Sequence, residues 1–340
     1  MNENNSVKIN RDHQMDNIKA VLLFLVAFGH TLDVYKGDWN INMYLMKYIY
    51  LFHMPLFAFI TGYFTKNMDK ARDKAIQKCL IPYILFQLVY ILMGKIMIYI
   101  GVANFNSNVF NGSLLVPSSA FYYLLAVFVW KLIAKEFMNL RHPLILSVLL
   151  GVAVSITKMQ EVHMGYGAVF ALLPFFVLGV LCSKDTIAKI RNAKKIFGIT
   201  ILVISIIPAV VLPYSIHSVR SAYANSGFDN LTGIFYRLIF YTIAVLIGYS
   251  VINLMSQKKT IFTHIGEASI LVYAGSTFLA PHGYIILDKI FNFSRNNWFN
   301  LIAMITYCII LIWICSIPIF LKWYNAILSK INSILFKKDC

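Results

Sequence analysis

Residues 11–30 read RDHQMDNIKAVLLFLVAFGH, and residues 50–64 read YLFHMPLFAFITGYF. In the first stretch Lys19 and His30 bracket ten almost wholly apolar residues. In the second, His53 stands inside a run that otherwise suits lipid. Blocks of this length and hydropathy predict membrane spans, and backbone in lipid must satisfy its own hydrogen bonds, so the spans are expected to be helices. Ionisable groups at such depth are costly and usually face a bundle interior or a watery cavity. A chain that keeps imidazoles there is expected to move protons, to move a solute, or to carry out acid–base chemistry within the membrane.

The rest of the composition agrees. Of the 340 residues 59% are hydrophobic and only 13% charged, with a mean hydropathy of +0.70, which excludes a soluble globular domain. Alternating ten-residue segments are absent from the sequence, so an outer-membrane barrel is not expected. The fold class predicted is an all-α, polytopic helix bundle. Cys79, Cys182, Cys308, Cys315 and Cys340 are scattered without a CxxC or metal-ligand spacing, so neither a disulfide framework nor a metal is expected. The first apolar block follows about sixteen mostly polar residues and lacks a small-x-small cleavage site, which reads as a retained first helix.

Ten spans are expected, at 17–35, 43–64, 79–101, 119–136, 142–158, 166–183, 196–213, 233–254, 265–287 and 298–322. With the N-terminus inside, 22 of the 30 Lys and Arg residues fall on the inner side and seven on the outer. That asymmetry puts both termini in the cytoplasm and assigns the +16 net charge to topology rather than to nucleic acid. The chain is read as one integral membrane domain over 1–340, with cytoplasmic segments at 1–16 and 323–340, multi-pass in the plasma membrane. The two longest outer stretches, 102–118 (VANFNSNVFNGSLLVPS) and 214–232 (YSIHSVRSAYANSGFDNLT), are rich in Asn, Ser and aromatics. They suit a neutral polar ligand such as a sugar, or are ordinary extracellular loops.

Three groups of residues carry candidate chemistry. Asp16 and Lys19 share a helical face. Lys19 and His30 lie about 16 Å apart along the axis and within roughly 20° of one face. Lys19 either acts at the inner end of this stripe or snorkels to the interface. His53 is followed by Pro55, which frees a carbonyl and makes room around the imidazole, while Thr61 and Gly62 permit close helix approach. The inner loop KNMDKARDKAIQK, residues 66–78, places Lys70, Arg72, Lys74 and Lys78 against the membrane, where they would meet either the phosphates of a nucleotide-like ligand or anionic headgroups. There is no Gly-rich phosphate loop, which argues against an ATP-driven pump.

The D-x-x-K start at Asp16, the Lys19-x10-His30 spacing, FHMPLFAFITGYF, CLIPYILF at 79–86 and LLPFFVLGVL at 172–181 resemble, in that order, the membrane acyltransferase-3 family. The resemblance is greatest to its fucose 4-O-acetylase-like group of polysaccharide O-acetyltransferases, and it covers most of the chain. It implies acetyl-CoA as cytosolic donor and a hydroxyl of a cell-surface or lipid-linked sugar as acceptor. It carries a functional role to Lys19, His30 and His53. Two departures stand out. Thr61 replaces the Ser usual before the glycine, and the late S-L-x-x-Y-x-x-H pattern reads Ser269 to Ser276, with serine in the histidine's place and His282 six residues on.

The resulting expectation is an O-acyltransferase in which His30 takes the proton of the attacking hydroxyl and His53 assists. Asp16, Lys19 and the 70–78 cations would meet the donor. The rival expectation is a transporter or flippase for a polysaccharide precursor, which would also explain many spans and buried histidines.

Overall fold

The computed structural model describes residues 11–99, 114–157, 165–217, 222–293 and 297–336. The expected outer stretch 102–118 lies mostly outside these residues, as do four positions of 214–232 and the first ten residues. Among the described residues all regular secondary structure is helical, and there is no strand. It opens with α1 (His13–Val34), α2 (Asn40–Tyr50), α3 (His53–Tyr63) and the short α4 (Met68–Asp73). A π turn at Ile76–Leu80 leads into α5 (Ile81–Tyr99), and a 3-10 turn at Ser119–Phe121 into α6 (Tyr122–Met138). Then come α7 (Pro143–Ile156), α8 (Tyr166–Leu181), α9 (Lys184–Asn192), α10 (Lys195–Ile204), α11 (Ile206–Val211) and α12 (Tyr214–His217). The chain continues with α13 (Asn230–Leu254), α14 (Thr263–Glu267), α15 (Ser269–Phe291), α16 (Trp298–Cys315) and α17 (Pro318–Leu335).

Among the described residues each of the ten apolar blocks is mostly helical. Six helical stretches among the described residues are long and apolar enough to cross a membrane by themselves, with α2 and α3 taken as one. The α8–α9 pair turns through 94°, and α7 and α10–α11 are shorter apolar helices. Block 43–64 is interrupted at Leu51–Phe52, so Pro55 stands in the first turn of α3, where its missing N–H leaves little unsatisfied. The last block departs further. Its helix stops at Cys315, Ile317 is extended, and Pro318 starts α17, which runs through the boundary expected at 323.

The polar residues of the first turns of α1 are consumed by structure. Gln14 donates to the carbonyls of Ile252 and Met255 at 2.9 and 2.8 Å, and Asn17 donates to those of Ser256 and Lys258 at 2.9 Å each. The first two are carbonyls that the end of α13 leaves without intrahelical partners, and the second two belong to the loop that follows it. The core is tightest where α3 crosses α8. A Cβ on Gly62 would stand 2.0 Å from the Phe176 carbonyl oxygen, and one on Gly179 2.0 Å from that of Phe59. Only glycine lets the two backbones touch, the small-residue packing expected between helices in lipid. The crossing holds α3 in the bundle centre, with α1 beside it and α14, α15 and α16 on α1's other faces.

Candidate functional site: two cavities on one helix pair

At the C-terminal end of α1 a cavity of about 250 Å³ is lined by His30, Asp33, Tyr50, His53, His217 and Tyr122, among others. Its assembly starts at Gly29, where a Cβ would lie 2.9 Å from the Tyr50 ring. That space admits Tyr50, whose ring lies 5.2 Å from the imidazole of His53. The two histidines met in separate blocks of sequence are thereby brought into one cavity. His53 is 6% exposed, and its Nδ1 lies 2.8 Å from the Ile49 carbonyl oxygen. A carbonyl only accepts, so Nδ1 carries the proton and Nε2 of the neutral ring keeps its lone pair.

The cavity wall is polar and held in place. Lys36 donates to Asp33 at 2.8 Å and to the Tyr214 hydroxyl at 3.0 Å. Ser119 lines the cavity with a φ of +49°, the left-handed region that favours glycine. Gln87 secures the preceding residues: its amide nitrogen donates to the Val116 carbonyl at 2.9 Å, and its amide oxygen accepts from the Ser118 N–H at 3.0 Å. Strain held by its surroundings at a cavity wall is a common mark of function.

At the other end of the same helices lies a second cavity of about 450 Å³. Lys19, Lys70, Lys74, Lys78 and Lys131 line it, together with Thr61, Tyr123 and Tyr273. Lys70, Lys74 and Lys78 are spaced by four along a largely helical segment and share a face. Arg72, two residues from Lys70, falls on the opposite side and pairs with Asp69 at 3.6 Å and Asp73 at 3.9 Å. A third space of about 910 Å³ adjoins the second through Lys19 and Phe64. Asp16 lines this one, bonded to Arg11 at 2.6 Å and Lys19 at 2.8 Å. The carboxylate therefore holds Lys19, whose ammonium also lies 5.1 Å from the centre of the Phe64 ring.

The histidine cavity and the lysine cavity are lined by neighbouring residues of the same helices. Tyr122 lines the first and its neighbour Tyr123 the second. On α3, Met54 belongs to the first and Phe57 to the second, one helical turn on. The Thr61 and Tyr123 hydroxyls meet at 2.8 Å on the lysine side.

Among the residues singled out in sequence, His30 and His53 meet in one cavity, and Lys19, Lys70, Lys74 and Lys78 in the other. Asp16 supports Lys19 from the adjoining space, and Arg72 lines none of the three. Ser276, in the place of the late histidine, donates to the Tyr273 carbonyl of its own helix at 3.0 Å. His282 lies within electrostatic reach of His30, with Nε2 3.3 Å from the Tyr90 hydroxyl, but does not line the histidine cavity. Sequence reading missed His217, Asp33, Lys131 and the tyrosines. A signal for His217 existed, an imidazole among aromatics in an outer stretch, but its burial depends on helices far away in the chain.

A family model described as an acyltransferase domain matches residues 12–317. Over 57 residues the chain is 44% identical to the nodulation protein NolL of Sinorhizobium fredii, covering 16% of each protein. Over 63 residues it is 43% identical to that of Mesorhizobium japonicum, covering 17% of this chain and 16% of the relative. The matched segment thus spans about a sixth of the length of these relatives. No solved structure matches.

Proposed function

The chain belongs to the membrane acyltransferase-3 family, and from that premise we propose that it moves an acetyl group from cytosolic acetyl-CoA to a hydroxyl of a cell-surface or lipid-linked sugar, in the plasma membrane. The observation that supports this reading is the pair of cavities lined by neighbouring residues of α3 and α6. One is rich in cations and suits the phosphates of coenzyme A. The other is lined by three imidazoles, three tyrosines and the Asp33 carboxylate and suits a polyhydroxylated acceptor.

In this reading the nucleotide stays at Lys19, Lys70, Lys74, Lys78 and Lys131, with Asp16 fixing Lys19. The thin acyl-bearing arm reaches along α3 toward the histidine cavity. The acceptor hydroxyl attacks the thioester carbonyl carbon, the C–S bond breaks, and an ester C–O bond forms. His30 takes the hydroxyl proton, assisted by His53, and that proton then leaves with the coenzyme A thiolate as the free thiol. His53, with its tautomer set by Ile49, is ready to accept a hydrogen bond at Nε2 and hold the hydroxyl in line.

Glycan analysis of a deletion strain tests the proposal. Loss of O-acetyl groups with glycan export unchanged is the expected result. Loss of export would instead return the chain to the transporter reading.

A further inference from the structure

The reaction above uses two imidazoles, yet a third lines the same cavity. His217 ends α12, is 1% exposed, and borders the cavity with His30 and His53. Its Nδ1 lies 3.0 Å from the Pro213 carbonyl oxygen, so Nδ1 carries the proton and Nε2 is a lone-pair acceptor. That Nε2 is buried and has no hydrogen-bond partner among the described residues. Burial, and after it the Lys47 ammonium, push the imidazole down to about 4. The ring is therefore neutral near pH 7 and Nε2 is free to accept. Buried polar atoms without partners are rare in native proteins, and each calls for a reason.

The surrounding segment holds this ring firmly. The Tyr223 hydroxyl donates to the carbonyl of Ile216, the residue before His217, at 2.9 Å. Tyr223 is itself fully buried, and the Arg237 guanidinium of α13 lies 4.3 Å from its ring centre. An outer segment tied into the bundle in this way keeps an unpaired acceptor aimed at one place.

We propose that His217 recognises the acceptor, its Nε2 accepting a hydrogen bond from a second hydroxyl beside the one that is acylated. The inference rests on the reading that the histidine cavity holds a sugar-like acceptor, and it narrows the class to polyols with two neighbouring free hydroxyls. His53 and His217 both line a space of about 250 Å³, small enough for one sugar ring to touch both imidazoles. His217 takes no proton in the reaction; it selects and orients. A site built to bond a hydroxyl rejects the analogue that lacks it, because its own buried group is then left unpaired.

The test uses the full chain in nanodiscs, acetyl-CoA as donor, and a panel of methyl hexopyranosides with their monodeoxy analogues as acceptors. His217→Phe keeps the ring but removes the acceptor, and should raise the acceptor KM about tenfold. His217→Gln, whose amide oxygen can take the place of Nε2, should stay within about twofold of wild type. One monodeoxy analogue should show the same KM with wild type and with His217→Phe, since the bond is already lost. Equal losses on every analogue, parallel losses in the Phe and Gln variants, or no loss at all would overturn the role of His217 alone. Wild type by itself also decides: no single non-reacting hydroxyl whose removal weakens binding means no second contact. Failure of wild type to acylate any of the glycosides would sink the sugar-acceptor reading, and this inference with it.

Discussion

The Tyr273 hydroxyl donates a hydrogen bond to the Ala120 carbonyl oxygen, and the two residues line different cavities, Tyr273 the lysine side and Ala120 the histidine side. The bond therefore joins the linings of the two cavities, between which the proposed reaction carries the acyl group. Tyr273→Phe removes it while keeping the ring, at a cost of about 1 kcal/mol. The expected result is a kcat lowered about fivefold with the donor KM unchanged, read by release of coenzyme A thiol. A raised donor KM with unchanged kcat would move Tyr273 from this junction to donor binding.

The lysine face and Arg72 separate two explanations of the basic loop. Replacing Lys70, Lys74 and Lys78 together by Gln should weaken acetyl-CoA binding at least tenfold and flatten its salt dependence. Arg72→Gln should leave both unaltered, because that guanidinium faces Asp69 and Asp73. Lys131→Gln should resemble the cavity lysines. Calorimetry on purified protein distinguishes them; equal effects at Arg72 would mean that general loop charge, rather than the cavity, governs binding.

His30→Ala is expected to lower acyl transfer by about 10²–10⁴-fold, the range for removal of a general base. The protein should remain inserted and abundant. His53→Ala should be comparably severe in kcat, and part of its loss should appear as lowered thermal stability, since the ring is buried against Tyr50 and bonded to Ile49. Near-normal transfer in His30→Ala would exclude it as the base.

Gly62→Ala and Gly179→Ala should each destabilise the protein by about 1–3 kcal/mol or more, as overpacking does. Each new methyl would strike a backbone carbonyl, and a backbone yields less readily than a side chain. Thermal melts in detergent give the readout. Wild-type melting in both variants would show that the α3–α8 crossing has room for a methyl group.

For topology, single cysteines in a cysteine-free background at Lys74 and Lys330 should be labelled from the cytoplasmic side, and one at Ser226 from outside. The charge asymmetry between loops is the reason. The reverse pattern would place the lysine cavity outside and remove the argument for a cytosolic donor.

Hydropathy and local spacing by themselves determined a good deal of this protein. The apolar blocks specify membrane helices, because backbone in lipid has few other ways to satisfy itself. Eleven residues of α1 place Lys19 and His30 on one stripe, since helical phase is a local property. The same phase arithmetic applied to Lys70, Arg72, Lys74 and Lys78 would have set Arg72 apart without any structure. Where helices break is less legible: the interruption at Leu51–Phe52 and the restart at Pro318 depend on local turn chemistry within apolar runs that hydropathy reads as continuous.

Tertiary structure alone decided which distant residues share a cavity. His30 and His53 meet because Gly29 admits Tyr50, and Lys131 joins the lysine face through the folding of α6 against it. Tyr122 and Tyr123 part to two cavities that exist only once α3, α6 and α15 come together. His217 becomes a buried acceptor only when α12 is fastened through Tyr223 to α13. These are contacts between segments tens to hundreds of residues apart, set by how helix surfaces fit, and no pattern confined to one helix encodes them.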